Sequence, residues 1–155
     1  MNPFAEHKKI DAHTHIGNFG SPFNVNFNTD LLLKQMEEFN IEKTILCPAA
    51  YMLNEEVNTA YKQHPDKIIP LAWINANLGD VAYADAEHYL RDEGFAGLKM
   101  QPLFDGFTAD SPAVDPVMEI ARKYKKPVFI HCGHPPFSLP WQIGLLAERH
   151  PEVPI

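Results

Sequence analysis

Short apolar runs alternate along the chain with segments whose apolar residues recur at helical spacing. The runs Lys9–His15, Lys43–Cys47, Ile68–Asn75, Phe95–Gln101 and Pro127–Cys132, most of them rich in Val, Ile, Leu or Phe, predict five strands. The segments Thr29–Phe39, Asn54–His64, Asp80–Asp92, Asp115–Tyr124 and Leu139–His150 predict five helices, the first four with Thr29, Asn54, Asp80 and Asp115 as N-caps. The order is βαβαβαβαβα. Parallel neighbours cannot be joined by a tight hairpin, so this alternation predicts a parallel sheet with the helices as right-handed crossovers. No linker or low-complexity stretch marks a second domain, and residues 1–155 read as part of a single one.

The connections are unequal. Helix-to-strand loops are short, as at 40–42, 64–67, 93–94 and 125–126, whereas the strand-to-helix loops Ile16–Asn28, Pro102–Val114 and Gly133–Ser138 are long and rich in Gly, Pro, Asn and Phe. Elaboration therefore gathers at the C-terminal ends of the strands, where both barrels and open α/β sheets hold their sites. Length separates these two folds. Eight βα units in a typical barrel take about 31 residues each, and 155 residues over five units give the same quotient. The end of the chain, His150-Pro151-Glu152-Val153-Pro154-Ile155, repeats the style of His64–Pro70, which leads into a strand, so a sixth strand is expected to begin there. An open flavodoxin-like sheet is the alternative, but no Gly-rich phosphate loop follows the first strand. The favoured reading is an incomplete (β/α)8 barrel of TIM type, about five βα units forming its N-terminal portion. Five parallel strands cannot close a barrel, and exposed edges favour association, so a homo-oligomer is expected.

Composition narrows the function. With 45% hydrophobic residues the chain can bury a core, and a net charge of -7 leaves no basic stripe for nucleic acid, which points to a small-molecule partner. Met1–Lys9 lacks a signal-peptide stretch and no run approaches the roughly 18 apolar residues of a membrane span, so neither membrane nor export is expected and the cytoplasm is the expected location. The two cysteines, Cys47 and Cys132, each close an apolar run and read as buried thiols, neither a disulfide framework nor a thiolate metal site.

Candidate chemistry concentrates in Ile10-Asp11-Ala12-His13-Thr14-His15-Ile16-Gly17. At a strand period of two, Asp11, His13 and His15 share one face, and Ile10, Ala12, Thr14 and Ile16 the other, fit for packing against helices. Two imidazoles at a strand end can bind one divalent ion, with zinc, iron, copper or nickel suiting neutral imidazole and manganese admitted by added carboxylates. A hydrogen-bonded pair without metal is the plainer alternative. His131 ends the fifth apolar run and offers a third ligand. In the fourth strand Lys99 and Gln101 share a face, which would bury an ammonium group; pairing, modification or an anionic substrate could balance that cost, and a simple salt bridge is the structural alternative. His134, in the loop three residues after His131, is a candidate substrate contact. His7, His64, His88 and His150 read as surface or capping residues. Phe19, Phe23 and Phe27 in the first long loop could form a lid, or pack over the rim as Phe104 and Phe107 could.

Asp11-Ala12-His13-Thr14-His15, Gly97-Leu98-Lys99-Met100-Gln101-Pro102 and Lys126–Gly133 together resemble the amidohydrolase superfamily, in particular its amidohydrolase-related branch. The resemblance implies that His13 and His15 bind the metal from the first strand and that His131 adds a ligand from the fifth. The family usually completes its site with a His after the sixth strand and an Asp after the eighth, positions this sequence does not contain. Some members carbamylate a fourth-strand lysine to bridge two metals, which makes Lys99 a catalytic candidate. The implied activity is that of a metal-dependent hydrolase, in which metal-activated water attacks a small ester, lactone or amide. Zinc is the first expectation for the divalent ion, with manganese, iron or nickel as alternatives. Gln101 and His134 would contact the substrate. A metal-dependent decarboxylase of the same superfamily, or an inactive truncated barrel, are the alternative readings.

Overall fold

The computed structural model describes residues 6–22, 24–50 and 53–155. Its contacts divide the chain into two compact units, Met1–Leu71 and Ala72–Ile155.

The first unit holds β1 (Lys9–Phe19), β2 (Val25–Phe27), α1 (Thr29–Glu38), β3 (Ile41–Pro48), α2 (Asn54–Gln63) and the start of β4 (Ile68–Trp73). The hydrogen-bonded order is β2-β1-β3-β4. β3 runs parallel to both β1 and β4, and β2 folds back antiparallel on the far end of β1. Leu32 and Met36 of α1, one turn apart, and Val57 and Ala60 of α2 are buried with Ile16, Leu46 and Cys47. The second unit takes β4 to its end and continues through α3 (Asp80–Arg91), β5 (Gly97–Met100), α4 (Pro102–Asp105), α5 (Asp115–Tyr124), β6 (Val128–Ile130) and α6 (Pro140–Arg149). β5 and β6 are parallel, and Ile74 N donates to Lys99 O at 2.8 Å, tying the chain beyond β4 to β5. Ala82, Ala86, Tyr89 and Leu90 of α3 form an i, i+4, i+7, i+8 stripe that is buried, as are Val117, Met118 and Ala121 of α5. Every residue of β5 is buried, the pattern of a parallel strand covered on both faces.

One backbone bond recurs where parallel strands begin. Lys9 N donates to Asn40 O, Thr44 N to Lys67 O and Leu98 N to Pro127 O, at 3.1, 2.9 and 3.0 Å, and in each pair the acceptor immediately precedes the next strand. Val128 N makes the same bond to Pro154 O at 2.9 Å, with Val153 buried, which matches the expected start of a strand at this point.

Four expectations are corrected. The first long loop is largely a hairpin, because β1 runs on to Phe19 and Val25–Phe27 pairs with Gly17–Phe19; short-range pairing claimed residues that read as loop for their Asn and Gly content. The N-caps lie one residue earlier than expected, at Asn28, Leu53, Gly79 and Val114, and only the Asn28 side chain accepts a cap bond, from Leu31 N. The expected residues open the first turns instead, where Asp80 and Asp115 face the positive end of the helix dipole. Ile10 is 62% exposed and Ala12 is exposed too, so that end of β1 does not present an apolar packing face. Cys47 is buried as expected, but Cys132, beyond the end of β6, is exposed. No helix among the described residues is long and apolar enough to cross a membrane.

Candidate metal centre

In the first unit the pairing of β1 with β3 slips. Asp11 stands opposite Thr44 and Thr14 opposite Leu46, so β1 spends three steps where β3 spends two. The surplus is a β-bulge, a device that re-aims side chains. Asp11 Oδ1 fastens it by accepting from His13 N at 3.0 Å. The simple alternation is thus broken between Asp11 and Thr14, yet His13 and His15 meet, with ring centroids 4.8 Å apart and planes tilted by 56°.

His15 is oriented from its other side. Its Nδ1 lies 2.8 Å from Pro48 O, which can only accept, so Nδ1 carries the proton and Nε2 presents its lone pair. That Nε2 lies 2.9 Å from His13 Nε2. Two nitrogens each about 2.0–2.1 Å from one ion are about 2.9 Å apart at a right angle and about 3.3 Å apart at the tetrahedral angle. The pair therefore fits a divalent ion as adjacent ligands, with Pro48 as the outer partner that metal-bound histidines use. The same separation suits an N–H···N bond donated by His13. Phe19 meets the His15 ring edge-on, with centroids 5.8 Å apart, while Phe27 lies in β2 and Phe23 lies outside the described residues. Gly17, at φ 127°, lets the strand leave the site: a Cβ there would lie 2.8 Å from both Ala49 Cβ and Leu53 Cδ1. A cleft beside the strand end is lined by Ile16, Asn28, Thr29, Glu55, Glu56 and Thr59, and neither histidine lines it.

In the second unit Lys99 is 1% exposed. It stands opposite Phe129 in the β5–β6 register, and its Nζ lies 4.7 Å from that ring's centroid, a cation–π contact. Gln101, next to the end of β5, is 6% exposed, and its buried Oε1 has no hydrogen-bond partner among the described residues. His131 follows β6, its backbone N donating to Met100 O at 3.0 Å and its Nε2 shielded from solvent. The exposed His134 stacks on it, with centroids 4.9 Å apart and planes 10° from parallel.

The loops beyond β5 and β6 are tied together. Ala109 N donates to Phe137 O at 2.7 Å, and the buried Gln142 of α6 donates through Nε2 to Pro136 O at 2.9 Å and Asp110 Oδ1 at 3.2 Å while accepting from Leu139 N at 2.8 Å. Trp73, at the end of β4, donates from Nε1 to Asp105 Oδ2 at 2.8 Å. Burial raises the Asp105 carboxyl to about 6, against the smaller opposing pull of its bonds from Trp73 and the Gln101 backbone. Sequence reasoning missed Pro48, Gln142, Trp73 and Asp105. A tryptophan closing an apolar strand does carry a signal, because its buried N–H needs an acceptor; nothing local marks the other three. His150 also departs from expectation. It caps α6, but its side chain is 7% exposed, with Nε2 2.8 Å from Asp115 Oδ1 and Nδ1 3.4 Å from Glu119 Oε1, because two carboxylates of α5 compensate its burial.

His13 and His15 thus come together in the first unit, and Lys99, Gln101, His131 and His134 all lie in the second. Among the described residues no group of three His, Cys, Asp or Glu side chains is placed to hold a metal ion, so the fit to a metal rests on the His13–His15 pair.

Solved structures share the fold. A 5-carboxyvanillate decarboxylase from Novosphingobium aromaticivorans, solved with manganese and a substituted nitrobenzoic acid, aligns with a TM-score of 0.76 at 12% identity, over 96% of this chain and 65% of its own. A 2,6-dihydroxybenzoate decarboxylase from Rhizobium aligns at 0.67 and 18% identity, over 93% and 54%. A 4-oxalomesaconate hydratase from Rhodopseudomonas palustris aligns at 0.58 and 16% identity, over 79% and 52%. The chain spans 65%, 54% and 52% of the length of these three structures, in keeping with an incomplete (β/α)8 barrel. No curated protein matches it in sequence. The sequence matches the amidohydrolase family over residues 10–155, nearly its whole length, and on that match the chain belongs to this family of enzymes.

Proposed function

We propose that the chain is the N-terminal portion of a metal-dependent hydrolase acting on a small ester, lactone or amide, with His13, His15 and His131 as metal ligands. The observation that carries this reading is the 2.9 Å approach of two Nε2 atoms, one of them aimed by the Pro48 carbonyl. A bound divalent ion, zinc first and manganese, iron or nickel otherwise, supplies a Lewis acid and a hydroxide source near neutral pH. The protein's own groups do the rest. His15 keeps its proton on Nδ1 through Pro48 and so holds Nε2 ready to ligate, while the Asp11-fastened bulge sets the backbone of His13. Lys99, a cation shielded from water, stabilises negative charge developing on the substrate, and the open acceptor of Gln101 takes a donor from it. His134 contacts the substrate from the loop. The remaining ligands and the general base come from outside these residues, and a small-molecule substrate and a homo-oligomeric state belong to the same reading.

A decarboxylase is the second reading, favoured by the buried Lys99 cation over Phe129, which suits a carboxylate partner. Several of the structural neighbours are decarboxylases of aromatic acids by name. Incubating the full-length protein with candidate acids, esters, lactones and amides separates the readings: carbon dioxide release indicates the decarboxylase, and a hydrolysed product without it indicates the hydrolase. Metal analysis tests both. Loss of the bound ion in His13→Ala and His15→Ala is the expected result, and an unchanged metal content would overturn the ligand assignment.

A further inference from the structure

The loop between β6 and α6, Gly133–Ser138, carries His134 and closes on itself. Gly133 N donates to Ser138 O at 2.7 Å, and Phe137 N and Ser138 N both donate to His134 O, at 2.8 and 3.0 Å. Its exposed tip is Pro135-Pro136, which has no backbone N–H, so the tip can be fastened only through its carbonyls, by donors from elsewhere. Ala109 N supplies one to the adjacent Phe137 O, and Gln142 Nε2, from the first turn of α6, supplies the other to Pro136 O.

Only one orientation of the Gln142 amide satisfies its neighbours. Leu139 N, at the N-cap of α6, must face an oxygen, so Oε1 accepts there at 2.8 Å and Nε2 turns to Pro136 O at 2.9 Å and Asp110 Oδ1 at 3.2 Å, both acceptors. A side chain 4% exposed thereby uses its oxygen and its amino group in full. Bonding the N-cap amide alone suits Glu as well as Gln. The two donations require Gln, because a carboxylate would turn an acceptor toward a carbonyl and a second carboxylate. What Gln142 adds beyond capping is therefore directed at the loop. The ring this loop presents is His134, stacked on His131 with centroids 4.9 Å apart and planes 10° from parallel.

We propose that Gln142 is a positioning residue, which acts through Pro136 and the closed loop to hold His134 against His131. Asp110 takes the second N–H of the same amide and so fixes the amide's direction from the loop after β5. The purpose of this hold rests on the reading of His131 as a ligand and His134 as a substrate contact. Its test does not, because it reads the two rings and needs no substrate.

The stack is read by nuclear magnetic resonance of the full-length protein with isotope-labelled histidine rings, zinc being the sole divalent ion, at about pH 8, where an introduced carboxyl is ionised. The signal is the nuclear Overhauser cross-peak between the ring protons of His131 and His134, assigned with His134→Gln. A cross-peak is expected in the parent and in Asp110→Asn, which keeps an acceptor for Gln142 Nε2. Gln142→Glu retains the bond from Leu139 N, so α6 stays capped, and is expected to lose the cross-peak while circular dichroism shows the helix content unchanged. Gln142→Met, uncharged and close in volume, is expected to lose it too, and carries the test if the charged variant does not fold. A cross-peak absent from the parent, or retained in folded Gln142→Glu or Gln142→Met, would overturn the positioning role. Metal content unchanged in His13→Ala and His15→Ala would instead defeat the functional reading and leave this result standing.

Discussion

His15 Nε2 faces His13 Nε2 at 2.9 Å while its Nδ1 donates to Pro48 O at 2.8 Å. One ring is thereby fixed in tautomer and direction by a carbonyl from the neighbouring strand, and the other is brought to it by a bulge. A metal-free N–H···N bond donated by His13 would use the same Nε2 lone pair of His15. The outer bond to Pro48 is of the kind that metal-bound histidines make, and Asp11 fastens the bulge that carries His13.

Asp11 tests that supporting role. Asp11→Ala removes the acceptor for His13 N and is expected to cost about 1 kcal/mol of stability and to weaken divalent-ion binding. Asp11→Asn keeps an acceptor and is expected to retain most of both. Chemical denaturation and metal titration of the two variants check this, and equal metal affinity in all three proteins would assign the bulge a folding role alone.

Gly17→Ala is expected to destabilise by about 2 kcal/mol or more, through the left-handed φ and contact with Ala49 and Leu53. The shift in denaturation midpoint measures it. Because Gly17 lies two residues beyond His15, displacement of the strand end should also disturb the Pro48 bond, visible as a change in the imidazole resonances of His15.

Lys99→Met separates stability from function. A buried ammonium replaced by an apolar chain of similar length is expected to leave the melting temperature unchanged or higher, while activity of the full-length enzyme falls by at least tenfold. A variant of lower stability would show that Lys99 serves the fold.

Two carboxyl groups give opposite pH dependences. Burial pushes Asp115 up, but its bonds from His150 and Arg149 outweigh that and hold it below the ordinary carboxylate range. A lowered folded-state pKa stabilises above the unfolded value near 4, and that contribution is lost as pH falls through the folded value. His150→Gln is therefore expected to flatten the loss of stability on acidification. Asp105, raised to about 6, works the other way: its contribution is complete below the unfolded value and is lost as pH rises through about 6, so Asp105→Asn should be the more stable form at pH 7. Melting temperatures across this range check both signs.

Much of this was legible in the sequence. The βα units follow from periodicity because β4, β5 and β6 are short apolar runs and the helices α1, α3 and α5 carry their buried residues on one stripe. The burial of Lys99 is legible because it shares with Gln101 the face opposite Leu98 and Met100, the face that a barrel turns inward, and every residue of β5 is buried. What escaped depends on register. The bulge at Asp11 appears only when β1 is laid against β3, Pro48 matters only because it stands opposite Ile16, and Gln142 ties loops more than thirty positions apart in the case of Asp110. His150 looked like a surface cap because the carboxylates that compensate its burial lie on another helix.

In the function proposed above, His13 and His15 are metal ligands. Equilibrium dialysis of the full-length protein against zinc or manganese, followed by elemental analysis, measures it directly. The expected result is stoichiometric divalent metal in the parent and its loss in both His13→Ala and His15→Ala, with folding verified by circular dichroism. Folded variants that keep the parent's metal content would contradict it.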